Sequence, residues 1–115
     1  MRKMLRETAD IDRSYIEAHI SSVVAIGIEY GFDVYVVRYS SCTVVSLRQL
    51  YFKSPREMDG VEVTFYHDRT AAYIERVVML RGAGHHTRSD CGSYEDYDAE
   101  ALEHIMRIVW DIETE

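Results

Sequence analysis

Four runs of β-branched and aromatic residues constrain the fold more than any other feature of the chain. They predict strands over residues 32–39, 43–52, 61–67 and 71–80, because side chains of this kind fit a pleated, half-buried surface. Residues 53–60 hold the only proline and an Asp-Gly pair and are predicted to form a loop. The other links, Ser40-Ser41 and Asp68-Arg69, are short, and short links join antiparallel strands. The pattern therefore predicts an antiparallel meander.

The C-terminal segment predicts an amphipathic helix. Its apolar stripe has helical spacing and consists of Leu102, Ile105, Val109 and Ile112. Two starts are open: Ser93 to Asp96 has the form of a capping box, and Asp98 is a second candidate cap. Burying the stripe is worth about 6–12 kcal/mol gross, whereas an exposed ion pair adds only about 0.3–0.5 kcal/mol. Packing on the sheet therefore decides the orientation, and the acidic side chains stay outside.

The N-terminal segment has two open interpretations. Ile16, Ile20, Val23 and Val24 follow helical spacing and Gly31 suits a helix end, which predicts a helix over residues 10–30. The many β-branched residues argue instead for a helix to about residue 20 and a strand over residues 23–29.

Together these elements predict an α+β fold in one domain, residues 1–115. An N-terminal helix, an antiparallel meander of four or five strands and a C-terminal helix follow in order, with both helices on one face of the sheet. The other face would carry Tyr, Thr, Arg and Val side chains. If that face is apolar it needs a cover, and a homodimer through the sheet is the simplest one.

The cysteines and the hydropathy of the chain predict a cytoplasmic protein, and we expect no cofactor. The two cysteines are too few for a disulfide framework, and Arg2 and Lys3 are not followed by the apolar segment of a signal peptide. No run of apolar residues is long enough to span a membrane.

Acidic residues are concentrated at the C-terminal end. The net charge is −7, yet residues 90–115 contain nine Asp and Glu against Arg107 alone. Contact with a nucleic-acid backbone needs cations, so we expect no direct nucleic-acid binding by this surface. Its charge favours a basic protein partner.

Residues 81–98 lack hydrophobic periodicity and are predicted to form an irregular loop. Four neighbouring side chains there are weak candidates for zinc ligands: His85, His86, Asp90 and Cys91. Cys91 beside a histidine is also a weak candidate nucleophile. Adjacent histidines point in different directions, and no motif supports either chemistry, so we assign no metal site and no catalytic residue.

The first half of this segment offers an alternative, the binding of an anion or nucleotide. A Gly-x-Gly is combined with basic side chains, which are Arg81, His85, His86 and Arg88. Backbone amides and arginines can hold an anion, although the endings of the known phosphate-binding motifs are absent. The corresponding function is a nucleotide or small-molecule binder, or a hydrolase.

The second half of the segment predicts a recognition surface. Aromatic and acidic groups alternate and continue onto the helix: Tyr94, Glu95, Asp96, Tyr97, Asp98, Glu100 and Glu103. Such a patch engages basic side chains through charge pairing and cation–π contact. The sequence therefore favours a small acidic, non-enzymatic binding protein, an inhibitor or adaptor of a basic protein, such as a nucleic-acid-binding protein. Its likeness to phage-encoded inhibitors is one of size and charge only.

Overall fold

The computed structural model describes residues 2–49, 57–80 and 86–114 and confirms the α+β prediction. The sheet has five antiparallel strands in chain order, with β1 and β5 at its edges. In chain order the elements are α1 (Arg2–Glu29), β1 (Asp33–Arg38), β2 (Cys42–Arg48), β3 (Glu57–Tyr66), β4 (Ala72–Leu80), β5 (His86–Tyr94) and α2 (Ala99–Thr114).

Alternate residues of the central strands build the core. Val45, Val63 and Ile74 lie side by side across β2, β3 and β4, and all three are fully buried. Successive side chains of a strand point to opposite faces. The next row, Ser46, Glu62 and Glu75, therefore lies on the other side of the sheet.

Both helices pack on the Val45 face, as predicted. α1 covers β1 and β2, and α2 lies over β3. Leu47 of β2 and Ile105 of α2 belong to the same buried cluster as Val23 of α1. The other side of the sheet has no helix on it among the described elements, and we call it the open face.

α1 is longer than predicted at its start and helical throughout residues 23–29. It begins at Arg2 rather than near residue 10, and the alternative strand is wrong. Val23 and Ile26 are buried against the sheet. Tertiary packing of a β-branched side chain outweighs its small helix penalty, which is at most about 0.7 kcal/mol per residue.

The end of α1 is a Schellman motif that turns the chain into β1. The Phe32 N–H donates to the Gly27 carbonyl (2.8 Å), and the Gly31 N–H donates to the Ile28 carbonyl (3.2 Å). Gly31 has φ 75°, which only glycine adopts without strain. Phe32 is buried and anchors the turn. The predicted role of Gly31 at the helix end is confirmed.

Two parts of the sheet differ from the sequence prediction. β3 starts at Glu57, so residues 57–60 are strand and not loop, whereas residues 50–56 lie outside the described part. The predicted loop after β4 contains a fifth strand, β5. Thr87 to Asp90 are exposed on this edge strand, which explains why its sequence shows no apolar alternation.

Candidate functional site

The outer side of α2 carries exposed apolar side chains among acidic ones. Its inner side buries five residues: Ala101, Ile105, Ile108, Val109 and Ile112. On the outer side Met106 is 39% exposed and Trp110 is 56% exposed. Glu103 and Glu113 continue the same row at helical spacing. We call Glu103, Met106, Trp110 and Glu113 the outer stripe of α2.

The outer stripe runs parallel to the buried stripe, displaced by one residue. Sequence spacing alone does not separate the two, since Met106 and Trp110 are as apolar as core residues. The acidic residues at both ends of the outer stripe distinguish it from the buried stripe in the sequence, because a buried charge needs a partner. An exposed tryptophan flanked by charges is typical of interfaces, which are enriched in Trp and Met.

The segment before α2 is held by Thr70, in the turn between β3 and β4. The Thr70 hydroxyl donates to the Asp96 carboxylate and to the Glu95 carbonyl, and the Tyr97 N–H donates to the Thr70 carbonyl. Glu95 and Asp96 are exposed. These bonds fix the position of the acidic pair relative to the helix.

Tyr97 does not lie on the surface where the sequence placed it. It is 3% exposed, its ring meets the Phe65 ring edge-on, and its hydroxyl lies 3.0 Å from Ser22 Oγ. Tyr94 is half-buried, and its hydroxyl is hydrogen-bonded to His104 Nδ1 (2.7 Å). The tyrosines of the expected patch therefore contribute mainly to packing.

The acidic side chains of the patch do lie at the surface. Those exposed before and along α2 are Glu95, Asp96, Asp98, Glu100, Glu103, Asp111 and Glu113. Arg107 is the basic residue of α2 and lies 3.5 Å from Glu103, an exposed pair of little energetic weight. We call these seven residues the acidic surface.

Asp98 caps α2 and Ser93 does not. One Asp98 oxygen accepts the Glu100 N–H (3.0 Å) and the Ala101 N–H (3.2 Å), the free donors of the first turn. Ser93 lies in β5, so the alternative capping box is wrong.

Removing the cap is expected to destabilise the protein moderately. Asp98→Ala should lower the free energy of unfolding by about 1 kcal/mol, because two helix amides lose their acceptor. Asp98→Asn keeps an acceptor and should lose less. Urea denaturation of both variants measures the difference, and an Asp98→Ala midpoint equal to that of the wild type would contradict the capping role.

Of the four basic residues predicted to bind an anion, the structure describes only His86 and Arg88, both in β5. Arg81 and His85 lie outside the described residues, and His86 is the first residue of β5. Arg88 is paired with Glu62 and lies 3.5 Å from Glu75 on the open face. These carboxylates raise the pKa of Arg88, and they compete with any anion for its guanidinium.

The weak metal candidates Asp90 and Cys91 lie on opposite sides of the sheet. Asp90 is opposite Glu75 on the open face and accepts the Gly92 N–H. Cys91 follows at a β-bulge, packs against the core, and its thiol donates to the Ser89 carbonyl (3.6 Å). Within the described residues no group of three metal-binding side chains is present.

The open face is polar along its middle. Its central row consists of Tyr35, Ser46, Glu62, Glu75 and Asp90. Burial, and then the charges of Asp90 and Glu75, raise the pKa of Tyr73 in the adjacent row. The predicted homodimer through this face depends on apolar side chains, of which the central row offers only Tyr35 at its edge, and it stays a prediction.

Comparisons with protein-family models, with curated proteins and with solved structures found no match to the chain. In the part of the chain that the structure describes, no helix is long and apolar enough to cross a membrane.

Proposed function

We propose that the protein is a small acidic binding protein whose α2 docks on a basic protein partner. One observation carries the proposal, the exposure of Met106 and Trp110 in a row that Glu103 and Glu113 close at both ends. A solvent-facing helix side gains nothing from an exposed Trp, whereas a docking side does. An inhibitor or adaptor of a nucleic-acid-binding protein is one role of this kind.

The outer stripe and the acidic surface contribute to binding in different ways. A tryptophan that fills a partner pocket is a common hot spot and contributes about 2 kcal/mol or more. Charges around it add mainly to the association rate and to partner choice, and their effect falls as salt rises. Trp110 would therefore set how long the complex lasts, and the acidic surface would set how fast it forms.

The charge of α2 selects the class of partner. Glu95, Asp96 and Glu100 surround the start of the helix, and Glu113 and Asp111 lie near its end. A surface of this sign repels phosphate backbones and attracts arginine- and lysine-rich grooves. The partner is thus a protein with a basic groove, and direct contact with nucleic acid through α2 is not proposed.

The test compares variants of this surface with a charge-matched control. The immobilised protein captures partners from extract of the producing cell, and captured proteins are quantified by mass spectrometry at low and high salt. Trp110→Ala and the double change Glu100→Lys with Glu103→Lys should each weaken capture of one basic protein by about tenfold or more, which is about 1.4 kcal/mol. Asp98 is left intact because it caps the helix.

Glu103→Lys is also made alone, and Glu29→Lys is its charge-matched control, since Glu29 is exposed at the C-terminal end of α1. Glu29→Lys should leave capture unchanged. The proposal fails if the captured proteins are the same for the wild type and Trp110→Ala, or if Glu29→Lys has the same effect as Glu103→Lys alone.

A further inference from the structure

β1 is an edge strand with an unusually apolar and exposed surface. Five of the seven large apolar side chains that are exposed among the described residues lie on it or next to it, and these are Ile28, Tyr35, Val36, Val37 and Tyr39. An exposed apolar edge strand presents unpaired backbone groups to any other strand, and natural proteins normally protect such edges with charges, prolines or bulges. β1 has no proline and no glycine, and its only charges, Asp33 and Arg38, are at its two ends.

The opposite edge of the same sheet is protected in just this way. β5 contains a bulge opposite Ile74 and Glu75, and it carries the charges of Arg88 and Asp90 in its middle. One edge of the sheet is therefore blocked against pairing, and the other is left available by the residues that the structure describes. A difference of this kind within one sheet points to use of the available edge.

The hairpin between β1 and β2 fixes which backbone groups of β1 are available. The Tyr39 N–H donates to the Cys42 carbonyl (2.8 Å), so Tyr39 faces β2 with its backbone groups. Along an antiparallel strand, the backbone N–H and carbonyl groups of successive residues point alternately toward one neighbouring strand and away from it. Val37 and Tyr35 therefore also pair inward, whereas Val34, Val36 and Arg38 direct their N–H and carbonyl groups outward.

A groove runs along the same edge on the helix side. It has a volume of about 510 Å³ and lies between α1 and β1, with Ile20, Val24 and Val36 among its lining residues. The ion pair between Glu17 and Arg38 also borders the groove. Apolar surface beside a free strand edge favours a partner that adds a strand and fills the groove at once.

We propose that the occupant of the β1 edge is a second copy of this chain, which pairs antiparallel through β1 about a two-fold axis at Val36. The outward residues are symmetric about that position, so Val36 pairs with Val36 of the second copy and Val34 pairs with its Arg38. This register satisfies all outward groups with about six hydrogen bonds. The two sheets become one sheet that continues across both copies.

Side chains and charges fit the same arrangement. On the open face Tyr35 lies opposite Val37 of the second copy, and aromatic–β-branched pairs of this kind stabilise antiparallel strands. Antiparallel pairing keeps the like charges of the two copies at opposite ends of the paired strands, whereas parallel pairing in register would bring Asp33 beside Asp33 and Arg38 beside Arg38. On the helix side the two exposed Val36 side chains meet at the axis.

The first test is the mass of the full chain in solution. Light scattering coupled to gel filtration at micromolar concentration should give twice the chain mass of 13.4 kDa. Val36→Pro removes an outward N–H without removing a β1–β2 hydrogen bond, and proline is tolerated on edge strands. This variant should be a folded monomer, whereas Trp110→Ala should remain a dimer because α2 lies elsewhere. A monomeric wild type would overturn the proposal.

The second test is cysteine cross-linking, which does not depend on whether Val36→Pro folds. In a background with Cys42 and Cys91 changed to Ser, Val36→Cys should oxidise to a covalent dimer, because paired Cα atoms about 5.5 Å apart suit a disulfide. Thr87→Cys on β5 is exposed as well and should give far less dimer. Equal cross-linking at both positions, or a dimer that survives Val36→Pro, would place the contact elsewhere, for example on the open face.

Discussion

Tyr97→Ala is expected to lower the free energy of unfolding by about 3–5 kcal/mol, a large part of the stability of a domain of this size. Tyr97 is buried between the helices and the sheet, in contact with the Phe65 ring (5.2 Å between centroids) and the His19 ring (4.3 Å). Removing the ring leaves a cavity that the surrounding strands cannot close. Urea denaturation followed by circular dichroism measures the loss.

Tyr97→Phe is the matched control because it keeps the ring and removes only the hydroxyl. It should cost about 1 kcal/mol, the net value of one hydrogen bond to Ser22. Binding of a partner through α2 should survive Tyr97→Phe. If a folded Tyr97→Phe variant loses the partner entirely, the Tyr97 hydroxyl contacts that partner, and its burial in the core is contradicted.

The same residue makes stability depend on alkaline pH. Burial raises the pKa of Tyr97 above its ordinary value of 10.0. The unfolded chain then releases the proton at lower pH than the folded one, so this contribution is complete below pH 10 and is lost as pH rises through the folded-state pKa. The free energy of unfolding of Tyr97→Phe should therefore fall less steeply than that of the wild type above pH 10.

The sequence predicted the elements that have a regular apolar pattern. β2, β4 and α2 lie close to their predicted positions because each has one buried side, and burial imposes a period on the sequence. β1 is mostly exposed and was predicted from its β-branched and aromatic residues alone. β5 was missed because an exposed edge strand needs no apolar alternation. The strand alternative over residues 23–29 was wrong because packing of β-branched residues on the sheet overrides local propensity.

The sequence predicted which acidic residues of the candidate site are exposed, but it did not predict which aromatic side chains are buried. Glu95, Asp96 and Glu103 are exposed as expected, because a charge left in water carries no desolvation cost. Tyr97 sits in a non-helical segment without a period, so nothing local indicates whether its ring points inward. Trp110 directly follows Val109 of the apolar stripe, and only the path of α2 over β3 shows that it faces outward.

Leu47→Ala is the second change with a large expected effect. Part of the lost stability should be regained by a second substitution, Gly27→Ala in α1. Leu47 is fully buried, and truncation should cost about 2–5 kcal/mol. A Cβ placed on Gly27 would lie 2.5 Å from Leu47 Cδ2 and 2.7 Å from Val34 Cγ2. At this glycine α1 lies close to the sheet, and the leucine fills space that a larger residue at position 27 would need.

Gly27→Ala alone has two opposing effects on the free energy of unfolding. Overpacking of a buried contact costs about 1–3 kcal/mol, and replacement of glycine inside a helix returns about 1 kcal/mol. The net result should be a loss of up to about 2 kcal/mol, because Leu47 is fully buried among other core residues. Thermal and urea unfolding of the single variant measure this balance.

Combining the two changes should be less harmful than their sum. In Gly27→Ala with Leu47→Ala, the new methyl group occupies space that the leucine has vacated. The clash with Leu47 is then removed and the helix gain remains, whereas the close contact with Val34 Cγ2 stays. The coupling energy of the cycle should favour the double variant by about 1–3 kcal/mol. Gly27→Ala with Ile74→Ala is the control, since Ile74 lies two strands away on β4 and its effect should be additive. Additivity in the Leu47 cycle would mean that α1 does not approach β2 at Gly27, and that the groove beside β1 has a different shape.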